Sequence, residues 1–443
     1  MLAGCGEIRR GSVLCITDSS RLSTGAISFR THPEEPPKSN GPGIYPLLVV
    51  GLGQHFSQVS QRRATAPSGR GVGPYSGGIR VKKSLKLGAA LAAVGLAASA
   101  CGSAPVSTSS GSGSTASAAA WSACMVTDTG GIDDHSFNAE SWAGMQDAAK
   151  ASGGKIAVSY VQSNTENDYT SNISSLVSKG CKFIVTVGFA MADATTASAK
   201  KNTSQQYAIV DNTSSGSHIQ GLQFNTAQGA FLGGYFAAGM THTGKVATFG
   251  GAKYPTVTVY MDGFWEGVQY YNAQHHTSVQ VLGWNEKTQQ GTFDTSANPF
   301  GDQAGGKQIA QTFQSQGADI VFPVAGGTGI GALQAAAASG GKMNAIWVDD
   351  DGCLSNSTYC SSILTSVTKG IATAVNTSVT DAFDGKFTST SYIGTLANGG
   401  TGLAPFHDWA SKVPTALQTE LDTVKQGIIN GTIKITSTSQ PTP

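Results

Sequence analysis

The sequence predicts an α/β protein with two lobes, each built on a doubly wound parallel sheet, joined by a hinge. From Trp121 onward, short apolar runs alternate with stretches of helical periodicity, which is the pattern of successive βαβ units. The alternation restarts after a helix of small residues at 226–240, which indicates a second sheet. The length of 443 residues, with 40% hydrophobic and 12% charged residues, is enough for two or three domains.

The first series of predicted elements runs strand, helix, strand, helix, strand, strand. Its first helix begins near Ser136 and carries Trp142, Met145 and Ala149 on one face. The second helix is predicted to end at Gly180, because glycine can adopt the left-handed conformation that closes a helix. The predicted strands are CMVTD (124–128), IAVSYV (156–161), KFIVTVG (182–188) and YAIVD (207–211).

The second series predicts another sheet with its own helices. Its strands are KVATFG (245–250), SVQVLGW (278–284), ADIVFPVA (318–325) and NAIWVDD (344–350), with helices at 257–273, 303–315 and 330–338. The remainder, from Ile363 to about Ser437, alternates again and shows no core of its own. We therefore assign residues 121–240 to lobe 1 and 241–349 to lobe 2, with parts of 350–443 completing both.

The sequence before Trp121 predicts export. Residues 1–80 hold all eight arginines and little apolar periodicity, and we interpret them as a non-native or disordered leader, with an unusual natural extension as the alternative. Residues 81–100 combine lysines, an apolar core and small residues, which is typical of a secretory signal peptide. The run ASAC resembles the bacterial lipoprotein box, which makes Cys101 the expected lipidation site and residues 101–120 a flexible tether.

Of the seven cysteines, Cys5 and Cys15 lie in the leader and Cys101 is the expected lipid site, which leaves four, an even number that suits disulfides in an exported protein. Cys353 and Cys360 are close together in a polar loop. Cys124 and Cys181 each begin an apolar run, and they can bridge if their strands are neighbours in a parallel sheet. A zinc site is the alternative, although neither spacing repeats and no histidine is suitably placed.

The charge pattern narrows the classes of partner. Beyond Arg80 the chain has no arginine, and from Cys101 it has 16 lysines against 23 acids, without a clustered basic face. Nucleic acid is therefore not an expected partner. Receptors for carboxylates and phosphates favour the two-pronged arginine side chain, so a neutral, polyhydroxylated or aromatic ligand is expected.

Residues at or just after predicted strand ends are the candidates for a ligand site, because ligands of open parallel sheets lie outside the carboxyl ends of the strands. A carboxylate and an ammonium that face one cleft can hold a vicinal diol. The candidates in chain order are Asp128, Phe137, Asn138, Asp193, Gly326, Asp349 and Lys369.

Other kinds of site fit less well. The glycine-rich turn at 326–331 does not have the spacing of a dinucleotide site, and the three acids at 349–351 do not have the spacing of a calcium loop. No Ser/His/Asp or Cys/His arrangement is evident. We therefore expect neither an enzyme nor a bound cofactor or metal.

Several segments together resemble the basic membrane protein family of ABC-transporter substrate-binding lipoproteins, which has the type I periplasmic-binding-protein fold. The resemblance implies a monomer that binds a purine nucleoside in the cleft, passes it to an ABC permease, and is lipid-anchored to the outer face of the cell membrane. A sugar or another small neutral solute is the alternative ligand, and a nucleoside-processing enzyme is the third hypothesis. The segments are TDTGGIDDHSFNAESWAGM, FNTAQGAFLGGYFAAGM, GKVATFGGAKYPTVTVYMDGFWEGV, DIVFPVAGGTGIGALQAA, WVDDDG and LTSVTKG.

The resemblance also implies roles for the candidates. Asp128, Asn138 and Asp193 would meet the base or its neighbourhood, and Phe137 would stack on it. Gly326 would offer its backbone.

Two further implications concern the sugar and the second face of the base. Asp349 and Lys369 would hold the ribose hydroxyls. The run GTFDT suggests Phe293 as a second stacking aromatic, with Trp284 as the alternative, because residues 285–290 look inserted relative to the family pattern.

Overall fold

The structure is a computed structural model that describes residues 121–441. The predictions for the leader, the signal peptide, lipidation at Cys101 and the tether fall outside these residues. Within residues 121–441, no helix is both long enough and apolar enough to cross a lipid bilayer.

The strands alternate with helices for most of the described chain. In chain order, the strands are β1 (Trp121–Val126), β2 (Ile156–Val161), β3 (Phe183–Val187), β4 (Gln206–Val210), β5 (Ile219–Phe224), β6 (Lys245–Gly250), β7 (Gln280–Leu282), β8 (Trp284–Asn285), β9 (Gln290–Gly291), β10 (Ile320–Val324), β11 (Asn344–Asp349), β12 (Ile363–Lys369), β13 (Tyr392–Gly394) and β14 (Thr401–Leu403).

The helices cover both faces of the sheets. In chain order, they are α1 (Phe137–Ala151), α2 (Tyr169–Ser178), α3 (Ala192–Lys201), α4 (Thr226–Met240), α5 (Pro255–His275), α6 (Gln303–Ser315), α7 (Gly327–Ala338), α8 (Gly352–Ser355), α9 (Ile371–Phe383) and α10 (Thr415–Ile429). As predicted, α2 closes at Gly180, which has a φ of +80°.

Two six-stranded sheets form the two lobes. The first has the order β13-β5-β4-β3-β1-β2 and is parallel throughout. The second has the order β14-β12-β11-β10-β6-β7 and is parallel except for the pair β12 and β14. In each, the first strand in the chain lies inside the sheet, which is the doubly wound arrangement. The predicted fold class is confirmed.

The sheets hold together because their strands are buried on both faces, as parallel sheets require. Every residue of β3 and of β10 is buried. On the first sheet, Met145 of α1 lies in one apolar cluster with Val375 of α9. On the second sheet, Leu333 of α7 and Phe313 of α6 pack against the strands. Each lobe therefore has its own core.

Helix α4 belongs to the second lobe, which corrects the boundary predicted at residue 240. Phe236 of α4 lies in the same apolar cluster as Phe264 and Phe322 of the second lobe. Gly234 leaves no room for a Cβ, because the carbonyl oxygen of Phe264 on α5 occupies that space. The first boundary between the lobes therefore lies at about residue 225.

The chain passes between the lobes three times. It leaves the first sheet after β5 and enters α4, returns from β12 to α9, and crosses again between β13 and β14. The part of the chain after residue 350 thus contributes strands and helices to both lobes. These three crossings, at about 225, 370 and 395–400, form the hinge.

Both predicted disulfides are present, Cys124 to Cys181 and Cys353 to Cys360. Strand β1 pairs in parallel with β3, and Cys124 lies opposite Ile184. Because Cys181 comes just before β3, its side chain reaches the neighbouring strand. The second disulfide closes the short loop between α8 and β12.

Candidate functional site

A cavity of about 200 Å³ lies where the carboxyl ends of the two sheets face each other. The first sheet contributes the segments after β1, β3 and β4, and the second contributes the ends of β10, β11 and β12. This is the edge at which a ligand of an open parallel sheet binds. Six predicted residues line the cavity together: Asp128, Phe137, Asn138, Gly326, Asp349 and Lys369.

Asp128 and Asn138 form a fixed acid and amide edge on one side of the cavity. The Asn138 side-chain amide donates to Asp128 Oδ1 at 2.7 Å, and the backbone N–H of Gly130 donates to the same oxygen at 2.8 Å. A Cβ at Gly188, whose φ is +122°, would lie 3.2 Å from the Cβ of Asp128. Burial raises the pKa of Asp128. Two donors thus hold one carboxylate oxygen and orient the group.

Asp134 caps α1, the helix that carries Phe137 and Asn138. Its carboxylate accepts hydrogen bonds from the backbone N–H groups of Ser136, Asn138 and Ala139 at 2.7–3.1 Å. Burial raises its pKa to about 7. Ser136 lies at the N-cap position of α1, but its hydroxyl donates to Asp349 in the other lobe at 2.7 Å. The cap therefore positions two cavity residues, and Ser136 links the lobes.

The acid bonded to Lys369 is Asp211, which the sequence analysis did not select. Lys369 Nζ donates to Asp211 Oδ2 at 2.6 Å, and the two side chains are 3% and 9% exposed. Burial raises the pKa of Asp211, and the Lys369 ammonium opposes that rise. Asp211 follows β4 directly, so the rule that selected the other strand-end residues would also have found it.

Asp349 is held separately from Lys369. Its Oδ1 accepts from the Tyr260 hydroxyl at 2.6 Å, and its Oδ2 accepts from Ser136. Asp349 and Asp211 have φ values of +69° and +67°, a region that residues other than glycine rarely adopt. Backbone strain of this kind concentrates at functional sites. Both acids are thus held at strand ends against their conformational preference.

Two predicted residues, Phe293 and Asp193, lie outside the cavity. Phe293 packs edge-on against Trp284, with ring centroids 5.9 Å apart, and fills the space beside Gly250. Trp284, the alternative, is buried and its indole N–H donates to Asp262. Asp193 is exposed in the first turn of α3, where an acid favours the helix dipole.

Aromatic side chains that sequence reasoning did not select complete the cavity. Phe300 lines it from the second lobe, beside the backbone of Gly327. The Tyr254 ring lies between Phe300 and Phe189, with centroids 6.1 Å and 5.8 Å away. Phe300 lies in an irregular loop between β9 and α6, where neither helical nor strand periodicity can indicate which way a side chain points.

A hydrogen bond joins the lobes beside these rings. The Tyr254 hydroxyl of the second lobe donates to Glu166 Oε1 of the first lobe at 2.8 Å. Glu166 is exposed, and both residues line the cavity. We call this pair the latch. It lies at the exposed rim of the cavity, where it holds the lobes together.

The three consecutive acids after β11 have separate roles. Asp349 lines the cavity, and Asp350 accepts from the Trp347 indole at 2.8 Å. Asp351 caps α8 and lies 2.7 Å from His407 Nε2. Asp351 and His407 also lie close to Cys353, but the sulfur of Cys353 is bonded to Cys360 and is not a free thiolate. These acids therefore do not converge on a common centre.

Two half-buried acids near the cleft make the stability of the protein depend on pH. Burial raises the pKa of Asp350 to about 8 and that of Glu140 to about 7. Both groups then keep a proton in the folded protein at pH values where the unfolded chain has released it. Since the folded state binds more protons, the free energy of unfolding falls as pH rises from about 4 to 8.

The variant Asp350→Asn tests this dependence. The amide oxygen can still accept from Trp347 and Ser355, but the titrating proton is lost, so the decline in stability with pH should become shallower, by at most about 1.4 kcal/mol per pH unit. Urea unfolding at pH 5, 6, 7 and 8 measures the slope. Asp422→Asn, at an exposed position of α10, should keep the natural slope. Equal slopes for all three proteins would contradict the prediction.

Comparisons with known proteins agree with the fold. The chain matches a family described as ABC transporter substrate-binding protein PnrA-like over residues 122–439. The ABC transporter nucleoside-binding protein BmpA of Lactococcus lactis is 30% identical, covering 71% of this chain and 89% of its own. The CD4+ T-cell-stimulating antigen of Listeria monocytogenes is 32% identical, covering 70% and 87%. A solute-binding protein of an ABC transporter system from Aeropyrum pernix K1 has a similar structure, with a TM-score of 0.63, 24% identity and coverage of 71% and 93%.

Proposed function

Since this chain belongs to the PnrA-like, or basic membrane protein, family of ABC transporter substrate-binding proteins, we propose that it binds a purine nucleoside and delivers it to an ABC permease. The observation that carries the proposal is the cavity between the lobes. It combines aromatic faces with three groups that can bind hydroxyls, namely Asp211, Asp349 and Lys369. A relative at 30% identity is named as nucleoside-binding.

The aromatic side chains support a flat ligand. Phe137 and Phe300 line the cavity from different lobes, so a base between them would be covered on both faces when the lobes close. Both amide hydrogens of Asn138 are already donated, to Asp128 and Asp134, so the edge offers acceptors: Asp128 Oδ2 and the second lone pair of Asn138 Oδ1 can accept from N–H groups of the base. A sugar alone would leave these aromatic faces without a matching partner.

The other end of the cavity supports a ribose. Asp349 has two carboxylate oxygens, each holding one hydrogen bond, and each can accept another from a ribose hydroxyl. Lys369 has three N–H donors, and one is directed at Asp211. No arginine occurs beyond Arg80 in the sequence, which disfavours a phosphorylated ligand. We therefore assign the uncharged nucleoside, rather than a nucleotide, as the ligand.

Isothermal titration calorimetry of the purified protein with adenosine, guanosine, inosine, uridine and ribose tests the proposal. We expect the purine nucleosides to bind more tightly than uridine and ribose, because a larger ring system covers more of the aromatic faces. Absence of binding to every nucleoside would reject the function. Binding of ribose alone would favour the sugar alternative, and sustained release of free base or ribose from nucleosides would favour an enzyme.

The latch should slow release of the ligand. Tyr254→Phe removes the hydroxyl that donates to Glu166 and keeps the ring between Phe189 and Phe300. We expect adenosine to dissociate about fivefold faster, because one hydrogen bond contributes about 1 kcal/mol. Stopped-flow measurement of dissociation checks this. Glu166→Ala should give a similar change. The double variant should dissociate no faster than either single variant, because both substitutions remove the same hydrogen bond. Additive effects would show that the two residues act separately.

Lipid anchoring through Cys101 is part of the proposal. It rests on the lipoprotein box in the sequence and on the export that a permease-coupled receptor needs. Cys101→Ser should move the protein from the membrane fraction to the soluble fraction of cells that express it. Retention in the membrane fraction would argue against the anchor.

A further inference from the structure

A second cavity lies beside the first at the hinge. Its volume is about 360 Å³, larger than that of the first cavity. It lies between β5, the start of α4 and residues 438–441 near the C-terminus, and we call it the hinge chamber. Lys369 and Asp211 line both cavities, so their ion pair is a shared wall.

Buried polar atoms at the hinge chamber lack partners. Of the residues that the structure describes, three have a buried side-chain nitrogen or oxygen without a hydrogen-bond partner in the chain: Gln223 (Nε2), Asn225 (Oδ1) and Thr226 (Oγ1). Gln223 and Thr226 line the chamber, and Thr226 is 1% exposed. A buried polar group without a partner is costly and rare in folded proteins. Two of the three such residues, Gln223 and Thr226, thus lie at one cavity, which indicates that this cavity takes a hydrogen-bonding ligand.

Among residues 121–441, the only charged residues that line the hinge chamber are Lys369 and Asp211, and these are bonded to each other at 2.6 Å. The other polar lining groups are amides and hydroxyls, including those of Thr213 and Ser439. A charged ligand would have to break the buried ion pair, whereas a neutral hydroxyl group can exchange hydrogen bonds with amides and hydroxyls. The lining therefore selects an uncharged, hydroxyl-bearing group.

The segment 436–440, which forms one wall of the chamber, is fixed by contacts to the first crossing between the lobes and to α5 of the second lobe. Gln440 accepts from the Asn225 side-chain amide at 3.0 Å, and Ser439 lies 3.0 Å from the Thr258 hydroxyl of α5. The backbone N–H groups of Thr436 and Ser437 donate to Glu266 at 2.9 Å. The hinge chamber is thus bounded by a segment with several fixed contacts.

We propose that the hinge chamber is a second ligand subsite that binds an uncharged, hydroxyl-bearing group next to the nucleoside. The proposal rests on the proposed function, since the Lys369 end of the first cavity is the end assigned to the ribose. The group can be a second sugar attached to the ribose, or a separate sugar or polyol. Both have the same chemistry, and the experiment distinguishes them.

Calorimetry of the full chain with three probes tests the subsite. The probes are adenosine, ribose added to adenosine-saturated protein, and adenosine that carries a second ribose on its 2′, 3′ or 5′ oxygen. We expect either one further equivalent of ribose to bind or a ribosylated adenosine to bind at least tenfold more tightly than adenosine. Adenosine that binds without either gain would overturn the subsite and leave the proposed function intact.

Two variants locate the gain. Gln223→Leu removes the unpartnered amide and should abolish the tenfold gain. Gln206→Leu is the matched control, since Gln206 lies on the adjacent strand β4 and lines neither cavity, and it should keep the gain. A gain that survives Gln223→Leu would place the second group elsewhere and overturn the assignment. If adenosine itself fails to bind, ribose binding that depends on Gln223 still supports the subsite, and its absence rejects it.

Discussion

Replacing Lys369 by methionine is expected to lower the free energy of unfolding by about 3–5 kcal/mol. The substitution leaves the buried carboxylate of Asp211 without its cation, and Asp349 is a second buried acid in the same cavity. Methionine keeps most of the side-chain volume, so the loss of stability measures the removal of the charge rather than the creation of a cavity. Urea unfolding at pH 7 measures it.

Two further variants separate the ion pair from the position. Lys369→Met combined with Asp211→Asn removes both charges and should recover part of the lost stability, because no isolated charge stays buried. Lys386→Met breaks the exposed pair with Asp384, in which the lysine side chain is 69% exposed, and should have almost no effect. A loss for Lys369→Met as small as that for Lys386→Met would show that the buried pair contributes little.

Replacing Phe300 by alanine is expected to weaken adenosine binding roughly 5- to 150-fold, the range that follows from about 1–3 kcal/mol for stacking of one base on an aromatic ring. Phe300 lines the cavity from the second lobe, on the side where the sequence suggested Phe293. Alanine removes the ring and keeps the loop backbone. Titration calorimetry with adenosine measures the change in Kd.

Phe293→Ala is the matched control for this experiment. Phe293 packs on Trp284 and lies outside the cavity, so its removal should lower folding stability and leave the Kd for adenosine within about twofold. The reverse outcome, weak binding in Phe293→Ala and normal binding in Phe300→Ala, would restore the assignment made from the sequence.

The predictable part of the site lies at strand ends. Asp128, Gly326, Asp349 and Lys369 could be found because apolar runs identify the strands, and parallel strands bring their carboxyl ends to one edge. Asp211 obeys the same rule. The structure added what the rule cannot supply, namely that Lys369 is bonded to Asp211 and that Asp349 is bonded to Ser136 and Tyr260.

The unpredictable parts lack a periodic signal. Phe293 and Phe300 share one loop, and Phe293 turns inward to the core, where it fills the space beside Gly250 and packs on Trp284. Helix α4 is buried almost all round, so its sequence has no polar face to indicate which sheet covers it. The sequence therefore predicted the helix but assigned it to the wrong lobe.

The three crossings of the chain determine the order in which the lobes can be completed during synthesis. Five of the six strands of the first sheet precede residue 225, but α9, which covers α1, and the edge strand β13 follow the parallel strands of the second sheet. The first lobe, whose strands leave the ribosome first, is therefore completed only after the parallel strands of the second sheet have been made, and β14 and α10 then complete the second lobe.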